Sequence, residues 1–153
     1  MLRPGGAAAF AVWDVPEKAR LVGVLGDAIE RAGADRDAGR PAGPDGTDLS
    51  RDDAFRSLLA GAGLEDAAVS SVAIEVTIET RDRLWHGLLN GSVRASSSVL
   101  CQSDDVRQRI RVVFDEIVSE YARADGSLLL PAVVKICAAN WGSPHPRRGP
   151  RDR

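Results

Sequence analysis

Few side chains in this sequence carry the means for acid–base or binding chemistry. His86 follows Trp85 in a helical stretch, and imidazole titrates near neutrality, which makes it a candidate base toward a hydroxyl or amine. No carboxylate is spaced to orient it, and a surface position explains it equally well. Trp85 reads as a pocket wall or as a core residue. Trp13-Asp14 ends a run of seven apolar residues. At the C-terminal end of a strand, Trp13 could pack on a substrate and Asp14 could accept a hydrogen bond from it. The competing reading is a tryptophan that closes the core and an aspartate that forms a turn. Ser96, Ser97, Ser98, Glu75 and Thr77 offer polar contacts or form a solvated face. Cys101 and Cys137 lie far apart in apolar contexts, without Cys-x-x-Cys or Cys/His spacing, so they are read as small reduced core residues and not as metal ligands.

The global balance narrows the partners. At 153 residues the chain is long enough for one domain with a real core. Its 44% hydrophobic and 27% charged residues are those of a globular protein, and a net charge of −2 sets up no field for nucleic acid or an anionic membrane. Arg147, Arg148, Arg151 and Arg153 lack interleaved aromatics and make no nucleic-acid signal. No apolar run reaches the length of a membrane span, and residues 7–13 are too short for a secretory signal. The expected compartment is the cytoplasm.

The elements that must position these residues follow from periodicity. Residues 7–13 suit a strand buried on both faces, preceded by the turn Leu2-Arg3-Pro4-Gly5-Gly6. A helix follows from about Glu17 to Ala32, with Leu21, Val22, Leu25, Ala28 and Ile29 on one face and Gly33 as its stop. Residues 33–50 read as a long, loose loop. Ser50 is the expected N-cap of a short helix with Phe55, Leu58 and Leu59 inward. Residues 69–79 alternate, with Val72, Ile74, Val76 and Ile78 on the buried face. Residues 80–123 read as helical, including the continuous stripe from Val106 to Tyr121. Residues 128–138 form a third strand with an irregularity at Pro131. Residues 140–153 are expected to be a disordered tail.

With those residues in view, the chain resembles the C-terminal half of a class I S-adenosylmethionine-dependent methyltransferase of the small-molecule type. Leu2-Arg3-Pro4-Gly5-Gly6 is similar to that family's turn into its fifth strand, and Phe10-Ala11-Val12-Trp13 to the strand itself. Leu58-Leu59-Ala60-Gly61-Ala62-Gly63-Leu64 is similar to its link into the sixth strand. Leu84-Trp85 with the helix 104–121 resembles its helical insertion before the seventh. The resemblance implies an α/β, Rossmann-like fold over residues 1–139, in which 7–13, 69–79 and 128–138 form a three-stranded mixed sheet under a helical cap. The strand 128–138 would lie between the other two.

The same resemblance implies S-adenosylmethionine as cofactor of the complete family domain and a small molecule as methyl acceptor. The family's Gly-x-Gly-x-Gly donor loop is not in this sequence, because Gly39, Gly43 and Gly46 sit in a Pro-rich loop and follow no strand. The chain is therefore expected to begin part-way through a domain and to bind no methyl donor alone. Its expected role is the substrate-capping half of such an enzyme, complemented by an N-terminal half. The alternative is a non-catalytic module that self-associates through the open edge of strand 7–13.

Overall fold

The computed structural model of the chain describes residues 3, 5–39 and 49–141. Three strands, β1 (Ala7–Trp13), β2 (Leu64–Ile78) and β3 (Leu128–Trp141), form one sheet in the order β1-β3-β2. Five helices join them: α1 (Arg20–Arg31), α2 (Asp52–Gly61), α3 (Arg81–Gly91), α4 (Val93–Leu100) and α5 (Asp104–Ser119). β3 runs opposite to both neighbours, so both ladders are antiparallel. This corrects the expected mixed sheet: β1 and β2 share a direction but never touch, because β3 separates them.

Local chemistry sets the boundaries. The turn before β1 closes with Gly6 N–H donating to Arg3 O at 2.8 Å, and Gly5 takes a φ of 75° that a side chain would disfavour. The other two residues of that motif, Leu2 and Pro4, lie outside the described residues. Thr80 Oγ1 caps α3 by accepting Arg83 N–H, and Ser92 Oγ caps α4 by accepting Ala95 N–H. Asp52-Asp53 and Asp104-Asp105 place negative charge in the first turns of α2 and α5. The N-cap of α2 is Arg51, one residue after the expected Ser50.

Each sheet face carries its own core. Leu128 and Leu130 of β3 point to one face, with Val24 and Ile29 of α1, Trp85 of α3, Val99 of α4, and Ile110 and Phe114 of α5. Cys137 and Ala139 point to the other, under Phe55 and Leu59 of α2. The continuous stripe of α5 faces inward as its spacing requires, with Ile110, Phe114, Ile117 and Val118 buried.

Several expectations are corrected here. β1 is an edge strand and is not buried on both faces: Phe10 and Trp13 are 43% and 44% exposed, since among the described residues only β3 adjoins it. Leu58 is exposed, because α2 turns only Phe55 and Leu59 to the sheet. On β2, Val72 and Ile74 are exposed, while Ile78 packs on the core, because the helical layer covers only that end of the strand. β2 starts at Leu64, ahead of residue 69, through an irregularity between Glu65 and Ala68 that hides the alternation. β3 continues to Trp141, so Asn140 and Trp141 belong to the sheet; residues 142–153 lie outside the described residues.

Pro131 stays in register opposite Glu75. Val133 O accepts from Asp14 N–H, so Val133 and, two residues away, Pro131 direct their backbone groups toward the β1 side. β1 has ended there, and the missing N–H has no ladder partner to lose.

Candidate functional site

A cavity of about 810 Å³ opens at the C-terminal end of β1. Trp13 and Asp14 form one side. The face of α1 from Val22 to Glu30 forms the next, Leu49 and Ser50 a third, and the start of α4 with Arg36 the last. Its size lies in the ordinary range for small-molecule sites. The helix α1 comes close to the turn before it because residue 23 has no side chain: a Cβ on Gly23 would stand 2.4 Å from Pro16 O.

Asp14 is the most buried ionisable group of this wall. Its side chain is 2% exposed. Oδ1 accepts the N–H of Val15 at 2.7 Å. Oδ2 accepts no hydrogen bond. Two ammonium groups stand near it at longer range, Lys18 at 3.7 Å and Lys135 at 3.9 Å. Lys135 is bound more closely by Asp52, and that hydrogen bond holds the Asp52 carboxyl below the usual aspartate range.

The other charges of the α1 wall are already matched. Arg20 donates to Asp27 at 2.7 Å and to Tyr121 Oη at 3.0 Å. Burial alone would lower the pKa of Arg20, but those two hydrogen bonds outweigh it and raise the value. Arg36 lies 3.8 Å from Glu30. Arg94, the second residue of α4, is half-buried and has no ion-pair partner among the described residues.

Of the residues singled out in the sequence, Trp13 and Asp14 line the cavity and Trp85 and His86 do not. Trp85 is a core residue, edge-on to Phe114 with ring centroids 5.0 Å apart. His86 is exposed on α3. The three serines spend their hydroxyls on backbone carbonyls: Ser96 on Leu89, Ser97 on Val93, and Ser98 between Arg36 and Arg94. Ser98 alone of the three reaches the cavity. Glu75 and Thr77 are exposed on β2, away from it. The tail arginines 147–153 lie outside the described residues.

Residues 34–39 are not loose as expected. Ser98 Oγ and Gln102 Nε2 hold them by donating to Arg36 O at 2.7 Å and Asp35 O at 2.6 Å. The rest of the predicted loop, 40–48, lies outside the described residues. Cys137 is buried, whereas Cys101 is exposed, contrary to its expected core position. Arg94 carried no signal in the sequence reading. Its position after the cap Ser92 and at the start of a helix is the feature that marks it in retrospect.

No family model matches the chain, and no curated protein matches it either. Among the described residues no group of three or more His, Cys, Asp or Glu side chains is placed to hold a metal ion, and no helix is long and apolar enough to cross a membrane. The described strand-to-helix turns do not fit a methyl donor's nucleotide and amino-acid groups. β1 runs into α1 through Asp14-Val15-Pro16-Glu17-Lys18-Ala19, and β2 into α3 through Glu79-Thr80. Neither turn holds a glycine to let a backbone approach such a ligand.

Proposed function

We propose that this chain is the acceptor-binding, substrate-capping half of a class I S-adenosylmethionine-dependent methyltransferase acting on a small molecule. The single observation that carries the reading is the cavity at the C-terminal end of β1, with Trp13 and Asp14 at its edge and helices α1 and α4 over it. In open α/β sheets ligands sit beyond the carboxyl ends of strands that share a direction, as β1 and β2 do. The strand order β1-β3-β2 is the order the resemblance implies, which supports the reading. In such an enzyme this half contributes alignment: it fixes the acceptor and excludes water, and the donor is held elsewhere.

Isothermal titration of the chain with S-adenosylmethionine tests the division of labour. The expected result is no binding to the chain alone. Micromolar binding overturns the assignment of donor binding to another segment. Restored methyl transfer on mixing with a donor-binding half ending at a Leu-Arg-Pro-Gly-Gly turn is the positive outcome.

A second reading rests on a different observation. Among the described residues β1 is an edge strand whose outer backbone groups have no ladder, with Phe10 and Trp13 exposed beside them. Such an edge can pair with a second copy and act as a binding module without catalysis. Sedimentation equilibrium separates the two. A dimer lost on Ala9→Pro supports this second reading, and a monomer at all concentrations removes it.

A further inference from the structure

The cavity wall holds two ionic groups of opposite sign whose hydrogen bonding is incomplete among the described residues. The first is Asp14. Its Oδ2 is buried and accepts no hydrogen bond, a costly state for a carboxylate oxygen. Lys18 and Lys135 stay beyond hydrogen-bond distance from it. Lys18 is 62% exposed on a flexible stem, so it occupies that place only loosely. Glu17 adds a second negative group at the rim.

The second is Arg94. The neighbouring arginines Arg20 and Arg36 have carboxylate partners, and Arg94 has none among the described residues. It stands in the first turn of α4, where N–H groups lack intrahelical acceptors. Ser92 Oγ takes up the N–H of Ala95, leaving those of Val93 and Arg94. The helix N-terminus and the guanidinium thus favour the same sign of ligand charge, a negative one.

Trp13, Val22, Leu25 and Ile29 supply the apolar part of the same lining. We propose that the cavity binds a zwitterionic small molecule, with a protonated amine on Asp14 and a carboxylate on Arg94 and the first turn of α4. The apolar body of the molecule lies along α1 and Trp13. An incoming ammonium takes the place that Lys18 holds from 3.7 Å and completes the coordination of Oδ2. The inference rests on the reading of this cavity as the acceptor site and narrows the acceptor to amino-acid-like molecules.

Calorimetric titration of the full chain with four probes of one shape tests it: L-phenylalanine, phenethylamine, 3-phenylpropionate and 2-phenylethanol. The zwitterion is expected to bind at least tenfold tighter than either singly charged probe. Asp14→Asn is expected to weaken L-phenylalanine and phenethylamine at least tenfold and to leave 3-phenylpropionate unchanged. Arg94→Gln is expected to weaken L-phenylalanine and 3-phenylpropionate and to leave phenethylamine unchanged. Arg94 is half-buried, so its variant keeps the test open if Asp14→Asn fails to fold. Equal binding of all four probes, or tightest binding of the neutral alcohol, overturns the zwitterion and leaves the acceptor-site reading standing. Binding of none of the four overturns both.

Discussion

Lys135 Nζ stands 3.9 Å from Asp14 Oδ1 and at the same time bonds Asp52, so one ammonium of β3 ties the end of β1 to α2. Lys135 is largely buried, with its side chain only 12% exposed, beside an Asp14 side chain that is 2% exposed. Lys135→Met removes it and leaves Asp14 with Lys18 alone. Breaking a buried ion pair from one side costs about 3 kcal/mol. Urea denaturation should report a loss of that order. The double variant Lys135→Met, Asp14→Asn should recover part of it, because the stranded charge is gone. A single variant as stable as the parent would contradict this role for Lys135.

Four aspartates make stability depend on acid. Asp52 is held below the usual carboxylate range by Lys135, Asp53 by Arg51, Asp105 by Ser103 and Asp125 by Ser127, each through a side-chain hydrogen bond. A folded value below the unfolded one stabilises the native state above the unfolded pKa, and that stabilisation is lost as pH falls through the folded value. The melting temperature should therefore hold level from neutrality to about pH 5 and decline below about pH 4, where free aspartate protonates. Asp105→Asn and Asp125→Asn should each flatten that decline. A melting temperature that stays level to strong acid would count against the argument.

The two interior glycines of α1 should respond in opposite directions. A Cβ on Gly23 meets Pro16 O at 2.4 Å, a backbone atom that cannot step aside without moving the turn at the cavity mouth. A Cβ on Gly26 meets only the end of the Arg36 side chain, at 3.7 Å. Gly26→Ala should gain up to about 1 kcal/mol from helix propensity. Gly23→Ala should lose about 1–3 kcal/mol through overpacking. Thermal melts of the two single variants decide it, and equal shifts would show that the close approach of Pro16 is unimportant.

The sequence was most legible where one element decides its own pattern. β1 occupies the residues that its apolar run marks, and the stripe of α5 is buried as its period requires. What failed was burial that depends on a neighbour. Alternation in β2 identifies a face, but whether Val72 and Ile74 are covered depends on how far the helical layer extends. Likewise an apolar run cannot reveal that β1 has only one partner among the described strands. Asp14 was legible as a strand-end residue. The cavity was not, because its walls come from β1, α1, residues 36 and 49–50, and α4, which only the tertiary fold assembles. Arg94 is informative because no described residue forms an ion pair with it, and that cannot be read along a chain.

Arg111 is the joint between α3 and α5. Its Nε donates to Asp115 at 2.9 Å and its terminal nitrogen to Asp82 at 2.5 Å. Its guanidinium carbon lies 5.2 Å from the ring centre of Trp85 and 5.9 Å from that of Phe114. Asp115 Oδ1 is buried without a hydrogen bond, so this carboxylate depends on Arg111 for compensation. A planar guanidinium can lie over the rings and bond both carboxylates at once, which a lysine ammonium cannot do. Arg111→Ala should cost about 2 kcal/mol through the stranded Asp115 and the lost ring contact. Arg111→Lys should recover no more than about half of that, since it restores charge without the fork. Fluorescence of Trp85 during denaturation, measured in a Trp13→Phe, Trp141→Phe background, should show α3 loosening first in both variants. If Arg111→Lys matched the parent in stability and in that signal, charge alone would hold the two helices together.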